Sequence, residues 1–525
     1  MAETSLAILD FPAEIIHEVC ECLLPNVSPP YLIYRDYEDA HSAFSNLARL
    51  ARTCKTLERH VSMFLWKYKS GHVYNIDLIP YIRTILKIPE AAKRETTFNM
   101  CPSSYTGPVE AGDAQIFDAA AERLGLEPPS SYMLQLFSGQ RGSLSQRYLD
   151  LIYLAIGNLP NLTSLSVYLA PPFARVRYQP LQMPSLKRMK VFGQTRDEFL
   201  EYIWMSDSWT WSTDGRDLGH FAQYTRSAPN LEGFEAEHVG ACRKPLELRQ
   251  ARKIRISKSS LRGEDLKNIV GNCSSHLKSF VYRTGSYESY VKSNARWDWN
   301  HKEASLKEFV DALLVAKADD SLRILEIDIR ENKQLYEIPP HDNPFKTDLK
   351  GFKSLRTVRL TQQTLMYNWY KQPLDTDRIR LINLLPSSIE SFSLSDITTK
   401  FLPYLVAFAE HIEAGKGLPN LKKVRLRPDP CLARQLKHAK AHRDDPKLET
   451  YRENGYDDKG KFCDLDESLL SQRELVISLF TKAGVRVKFP SEVYVLCTDV
   501  KKHLERQQSS QHWCTRCHHE SYVCK

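Results

Sequence analysis

The template Leu-x-x-Leu-x-Leu, with other apolar residues allowed at the Leu positions, recurs along the middle of this chain and restricts what that stretch can fold into. It reads Leu162/Leu165/Val167, Leu186/Met189/Val191, Leu231/Phe234/Ala236, Leu277/Phe280/Tyr282, Leu322/Leu325/Ile327, Leu355/Val358/Leu360, Ile389/Phe392/Leu394 and Leu421/Val424/Leu426. Two apolar residues spaced by two lie on one face of a strand, so each copy predicts a short strand with one buried side. A degenerate copy stands at Ile254/Ile256, and a tenth candidate at Val485/Val487 follows a helical stretch over 467–483. The leads into the strands recur as well: Leu159-Pro160-Asn161, Met183-Pro184-Ser185, Ala228-Pro229-Asn230 and Leu418-Pro419-Asn420. Amphipathic helices are expected between strands at 197–205, 261–272, 305–316, 377–385 and 400–414, with Thr195-x-x-Glu198 as a capping box.

One strand-and-helix unit cannot bury its own apolar face, whereas a stack of them can. The expected fold class is therefore α/β, a right-handed solenoid of alternating strands and helices. In such a strand the residues between the core positions face the opposite, concave side. Those nominated for substrate binding are Tyr168; Arg188, Lys190 and Phe192; Glu235 and Glu237; Arg255; Arg283; Glu326 and Asp328; Arg359; and Lys423, Arg425 and Arg427. The face reads as acidic near Glu235 and Glu326 and basic at its C-terminal end, a zoning that suits a protein partner of complementary charge.

The first 70 residues differ in character. Ile15, Ile16, Val19 and Leu23, then Leu47, Leu50, Cys54, Leu57, Val61 and Leu65, follow helical steps and form stripes too wide for three short helices to cover. Asp10 and Pro12 sit where a helix is capped and started, with Glu14 at the positive end of its dipole. The helix is expected from about residue 12 to Leu24, a second over 40–54 and a third to about 69.

These residues resemble the F-box in the order Phe11-Pro12-Ala13-Glu14-Ile15, the Leu47–Leu50 run, Cys54-Lys55 and Leu65-Trp66, about an eighth of the chain. Thr53 and Leu57 stand at the family's Val and Trp positions, and 25–44 is an insertion. The repeats are similar to leucine-rich repeats of irregular, long-period type, and together the parts look like a fungal-type F-box and leucine-rich-repeat substrate receptor. The resemblance implies a horseshoe of repeats behind a small all-α module that docks a Skp-type adaptor, and through it a cullin-RING ubiquitin ligase, by Phe11, Pro12, Glu14, Ile15, Ile16, Val19, Leu23, Leu47, Leu50, Cys54, Leu57, Leu65 and Trp66. The domains are then 1–70, the F-box-like module; 71–142, a linker and cap with helices over 78–93 and 113–125; 143–490, the repeats; and 491–525, a tail.

Lys plus Arg number 72 against 64 Asp plus Glu, a dispersed net +8 that is no nucleic-acid footprint by itself. No secretory signal and no apolar run of spanning length is visible, so an intracellular location, cytoplasmic or nuclear, is expected, with no membrane partner. The chain shows no Walker sequence, no Gly-x-Ser-x-Gly elbow and no His-Glu-x-x-His, and a non-catalytic subunit is expected. Cys514, Cys517, His518 or His519, and Cys524 could supply four zinc ligands, but the pairs are cramped, and no metal or cofactor is expected. Two other readings stand beside the ligase subunit: a repeat scaffold without ligase function, and nucleic-acid binding by the basic C-terminal strands.

Overall fold

Strands form at every copy of the template. The computed structural model describes residues 12–23, 46–47, 49–58, 61, 73–101, 111–125, 144–168, 181–193, 217–273, 275–284, 304–329, 348–365, 380–444 and 467–490. The architecture is mixed α/β with parallel strands, and the chain divides into two units. The first is Met1–Phe192 with Leu200–Met205 and Ser227–Leu231; the second is Gly193–Phe199, Ser206–Arg226 and Glu232–Lys525. The expected helix at 197–205, its capping box, the insertion and the cysteine-rich tail lie outside the described residues.

In the first unit a helix at Ala13–Leu23 starts where Pro12 directs it, the Pro12 carbonyl accepting from the N–H groups of Ile15 at 3.1 Å and Ile16 at 3.3 Å. Ile16 and Cys20 are buried with Leu47, Leu57 and Val61, and Leu50, Ala51 and Cys54 pack against that cluster. Four parallel strands follow: β1 (Val73–Tyr74), β2 (Thr97–Cys101), β3 (Ser164–Tyr168) and β4 (Arg188–Phe192), each paired with the next. β1 and β2 fall in the stretch expected to be linker and cap. Tyr81, on the helix Asn75–Lys87, packs on Phe98 of β2 at 5.6 Å between ring centroids. Burial, reinforced by the Glu95 carboxylate, holds the Tyr81 hydroxyl well above its ordinary pKa.

In the second unit the strands are β5 (Gly233–Glu237), β6 (Lys253–Ser259), β7 (Ser279–Thr284), β8 (Ile324–Asp328), β9 (Thr357–Thr361), β10 (Ser391–Ile397), β11 (Lys423–Pro428) and β12 (Arg486–Lys488). They pair in chain order, all parallel, so each connection returns to the neighbouring position. The registers align one core row, Phe234–Ile254–Phe280–Leu325–Val358–Phe392–Val424–Val487. Helices lie in the connections between several of these strands. The core rows meet those helices: Phe280 and Tyr282 lie 6.1 and 4.7 Å from Phe309 of Leu306–Val315, and Phe392 lies 5.8 Å from Phe408 of Leu402–Glu413. Phe408 in turn meets Phe480 of Glu467–Lys482 at 5.6 Å. The helix Leu306–Val315 opens on a capping box, Ser305 with Glu308, which the S-x-x-E spacing announces.

The recurring leads have a physical role. Asn161, Asn230 and Asn420 donate through Nδ2 to the carbonyls of Lys93, Pro184 and Ser387, at 2.6, 2.8 and 3.1 Å. Ser321 and Ser388 do the same through Oγ to Leu277 and Leu355, both at 2.9 Å. Each side chain thus satisfies a carbonyl in the preceding unit of the array, where a turn would otherwise leave it to water. At the next position one carbonyl takes two successive N–H groups of the following strand, as Arg252 does from Lys278 and Ser279, and Arg356 from Glu390 and Ser391.

Phe392→Ala removes a fully buried ring and is expected to cost about 3–5 kcal/mol in chemical denaturation. Its neighbour Ser393, which points to the other face, should tolerate Ala within about 0.5 kcal/mol. Similar losses at both positions would contradict the assigned faces.

Candidate binding face

In each unit the side of the strands opposite the core rows is built from the residues between core positions, most of them exposed or half-buried. In the first unit β4 presents Arg188, exposed, with Lys190 and Phe192, half-buried, while Met189 and Val191 are buried. The Lys190 ammonium lies 4.3 Å from the centroid of the Phe192 ring, a cation–π contact that ties the two together. Tyr168 closes β3 in register with Phe192; its side chain lies outside the description.

In the second unit the registers align one outward row across eight strands: Glu235–Arg255–Val281–Glu326–Arg359–Ser393–Arg425–Lys488. Glu235 and Arg255 are exposed register neighbours, and Glu237 is half-buried further along β5. Glu326 does not form the open acidic zone expected of it. It is only 7% exposed, because Arg283 Nε donates to its Oε1 at 2.7 Å and Arg359 Nη1 to its Oε2 at 3.0 Å. One carboxylate between two guanidinium groups satisfies both oxygens and leaves a net positive triad. Asp328, in register with Arg283, is also buried, so the central part of the face offers a partner little negative charge.

The C-terminal end is different. Lys423, Arg425 and Arg427 alternate along β11 with buried Val424, Leu426 and Pro428. The same alternation continues on β12, where Arg486 and Lys488 flank Val487. These last two were missed as site residues, although the apolar spacing Val485/Val487 already placed them outward. The pairing puts Lys423 opposite Arg486 and Arg425 opposite Lys488, two like-charge pairs directly across neighbouring strands. Such pairs destabilise a sheet by a few tenths to about 1 kcal/mol each. The Lys423 ammonium is accordingly held below its ordinary pKa, first by Arg425, then by partial desolvation and by Arg486, Lys488 and Arg359. Among the described residues none of these five cations forms an ion pair, whereas the strand leads next to them do: Lys422 and Arg356 both reach Glu390 at 3.2 Å. β10 lies between Arg359 and the basic strands and contributes Ser391 and Ser393 to the same rows.

At the N-terminal module, burial separates the nominated adaptor residues. Ile16, Leu47 and Leu57 are internal to the module, and Leu50 and Cys54 are half-buried against them. Pro12, Glu14, Ile15 and Val19 point outward, with Ile15 41% and Val19 39% exposed. Leu23 ends the helix with its side chain outside the description, and Phe11, Leu65 and Trp66 lie outside the described residues.

The three buried thiols are not set up as nucleophiles. Burial raises Cys20, pushes Cys273 up to about 12, and raises Cys242 further with the help of the Asp217 and Asp265 carboxylates. These groups are protonated thiols at neutral pH and poor nucleophiles. Among the described residues no group of three or more His, Cys, Asp or Glu is placed to hold a metal, and no helix is long and apolar enough to cross a membrane.

Glu326→Ala should destabilise the fold by about 1–3 kcal/mol, because Arg283 and Arg359 lose their shared acceptor. Their 40% and 49% exposure puts the value at the lower end. Unchanged stability in thermal or chemical unfolding would show that the triad is not formed in solution.

The chain matches no protein-family model and no curated protein at significant similarity.

Proposed function

We propose that this protein is a non-catalytic receptor that joins two proteins: the N-terminal module docks a Skp-type adaptor of a cullin-RING ubiquitin ligase, and the open sheet face binds the substrate. The observation that carries the first half is the helix Ala13–Leu23, which is apolar on more than the side it buries. Ile16 and Cys20 complete the module's own cluster, while Pro12, Ile15 and Val19, at steps of three and four, leave an adjacent apolar stripe exposed. A stripe of this kind is worth roughly 1.5–3 kcal/mol per large side chain when a partner covers it. With the F-box resemblance of Pro12, Glu14, Cys54 and Lys55, it supports reading the module as a docking element.

The second half is supported by the parallel strands in chain order, with side-chain staples to the preceding unit before β3, β5, β8, β10 and β11. This is the arrangement expected of leucine-rich repeats, and it leaves one broad polar face for recognition. In this reading the protein supplies proximity, holding substrate near a ubiquitin-charged enzyme, and performs no bond chemistry itself.

A pull-down with purified Skp-type adaptor tests the docking half. Ile15→Asp with Val19→Asp should abolish recovery while leaving thermal stability within about 1 kcal/mol of wild type, because both side chains are exposed. Recovery equal to wild type would rule out this interface.

A further inference from the structure

The five cations of β11 and β12 are set against each other rather than against acids. Lys423 faces Arg486 and Arg425 faces Lys488 across the ladder, Arg427 extends the row, and no carboxylate among the described residues neutralises any of them. Elsewhere on the same sheet cations do reach acids: Glu326 takes Arg283 and Arg359, and Glu390 takes Arg356 and Lys422. A local arrangement that opposes folding, with no acid among the described residues reaching any of its cations, marks a surface shaped by what binds it.

We propose that the β11–β12 end of this face binds a carboxylate-rich, extended segment of a partner protein. The geometry selects the class. Lys423, Arg425 and Arg427 stand two residues apart on one strand, roughly 6.6 Å between successive side chains. That is also the distance between alternate side chains of an extended peptide, so acids at every second position of such a peptide match the row. β12 adds a second row about 4.8 Å away. The cations are therefore spread along two lines and do not converge on one point, as a site for a single phosphoryl group requires. The outward rows of β9 to β12 hold Thr357, Arg359, Thr361, Ser391, Ser393, Ser395 and the five cations, with no aromatic platform on which a nucleic-acid base could stack. Ser391 and Ser393 place hydroxyl donors beside Lys423 and Arg425, suited to carboxylate oxygens. The inference rests on reading the sheet face as a protein-binding surface; it does not depend on adaptor docking.

The test is fluorescence anisotropy with the full-length chain and a labelled decapeptide of alternating Glu and Thr, at low and at physiological salt. Wild type should bind, and added salt should weaken binding. Arg425→Ser with Lys488→Ser should weaken it at least tenfold, with a melting temperature no lower than that of wild type. Lys307→Ser with Lys416→Ser makes the same change in net charge away from the face and should leave affinity within twofold. Equal loss in both double variants would reduce the effect to overall charge and overturn the site. Tighter binding of a ten-residue oligothymidylate or of a singly phosphorylated Ser peptide, with the same sensitivity to Arg425 and Lys488, would overturn the proposed ligand class. Because no adaptor is present, failure here leaves the adaptor pull-down unaffected, and failure of that pull-down leaves this result standing.

Discussion

In-register parallel pairing is the constraint on which the second unit depends. Because every strand from β5 to β12 meets its neighbour at the equivalent residue, the buried positions form unbroken rows, and the positions between them do the same on the opposite side. A slip of one residue anywhere would expose a core row and bury a charged one. The register is held at the strand leads, where one carbonyl takes two successive N–H groups and an Asn or Ser side chain reaches back to the preceding unit. Core packing then follows, with Phe280, Tyr282 and Phe392 meeting the aromatic rings of the crossover helices.

The same pairing turns sequence alternation into a surface. Residues far apart in the chain, Glu235 on β5 and Lys488 on β12 among them, belong to one outward row only because the register carries it through. From Glu326 to Lys488 along that row, charge changes from paired to unpaired. The Arg283–Glu326–Arg359 triad is internally satisfied and belongs with the sheet's structural interactions, while among the described residues the cations of β11 and β12 meet no acid. The N-terminal module obeys a comparable division on a helix, Ile16 and Cys20 spent on its own cluster and Ile15 and Val19 left outside.

Much of this was legible in the residues. Apolar spacing located the strands from β3 to β12, because a buried strand face needs only a period of two, and it located the helices 263–270, 306–315, 402–413 and 467–482 within a few residues. β1 and β2 were not legible: Val73–Tyr74 is too short to show a period, and among the described side chains of Thr97–Cys101 only Phe98 is a buried apolar residue. The helices Leu144–Gly157 and Pro430–Asp444 were also missed, the latter because its Lys, Arg and His content conceals the stripe of Leu432, Leu436 and Ala439. At the site, spacing told which residues face outward but not what they touch. Glu326 reads as an exposed acid until Arg283 and Arg359, 43 and 33 residues away, are brought onto either side of it.

Register and charge are joined most tightly at Arg425 and Lys488, which repel only if β11 and β12 pair in this register and only if both side chains lie on the open face. A double-mutant cycle in chemical denaturation, with Arg425→Ser and Lys488→Ser singly and together, measures that interaction directly. The expected result is that each single change stabilises the chain and that the coupling is repulsive, from a few tenths to about 1 kcal/mol at low salt, shrinking as salt is added. Zero coupling, or an attractive one, would contradict it.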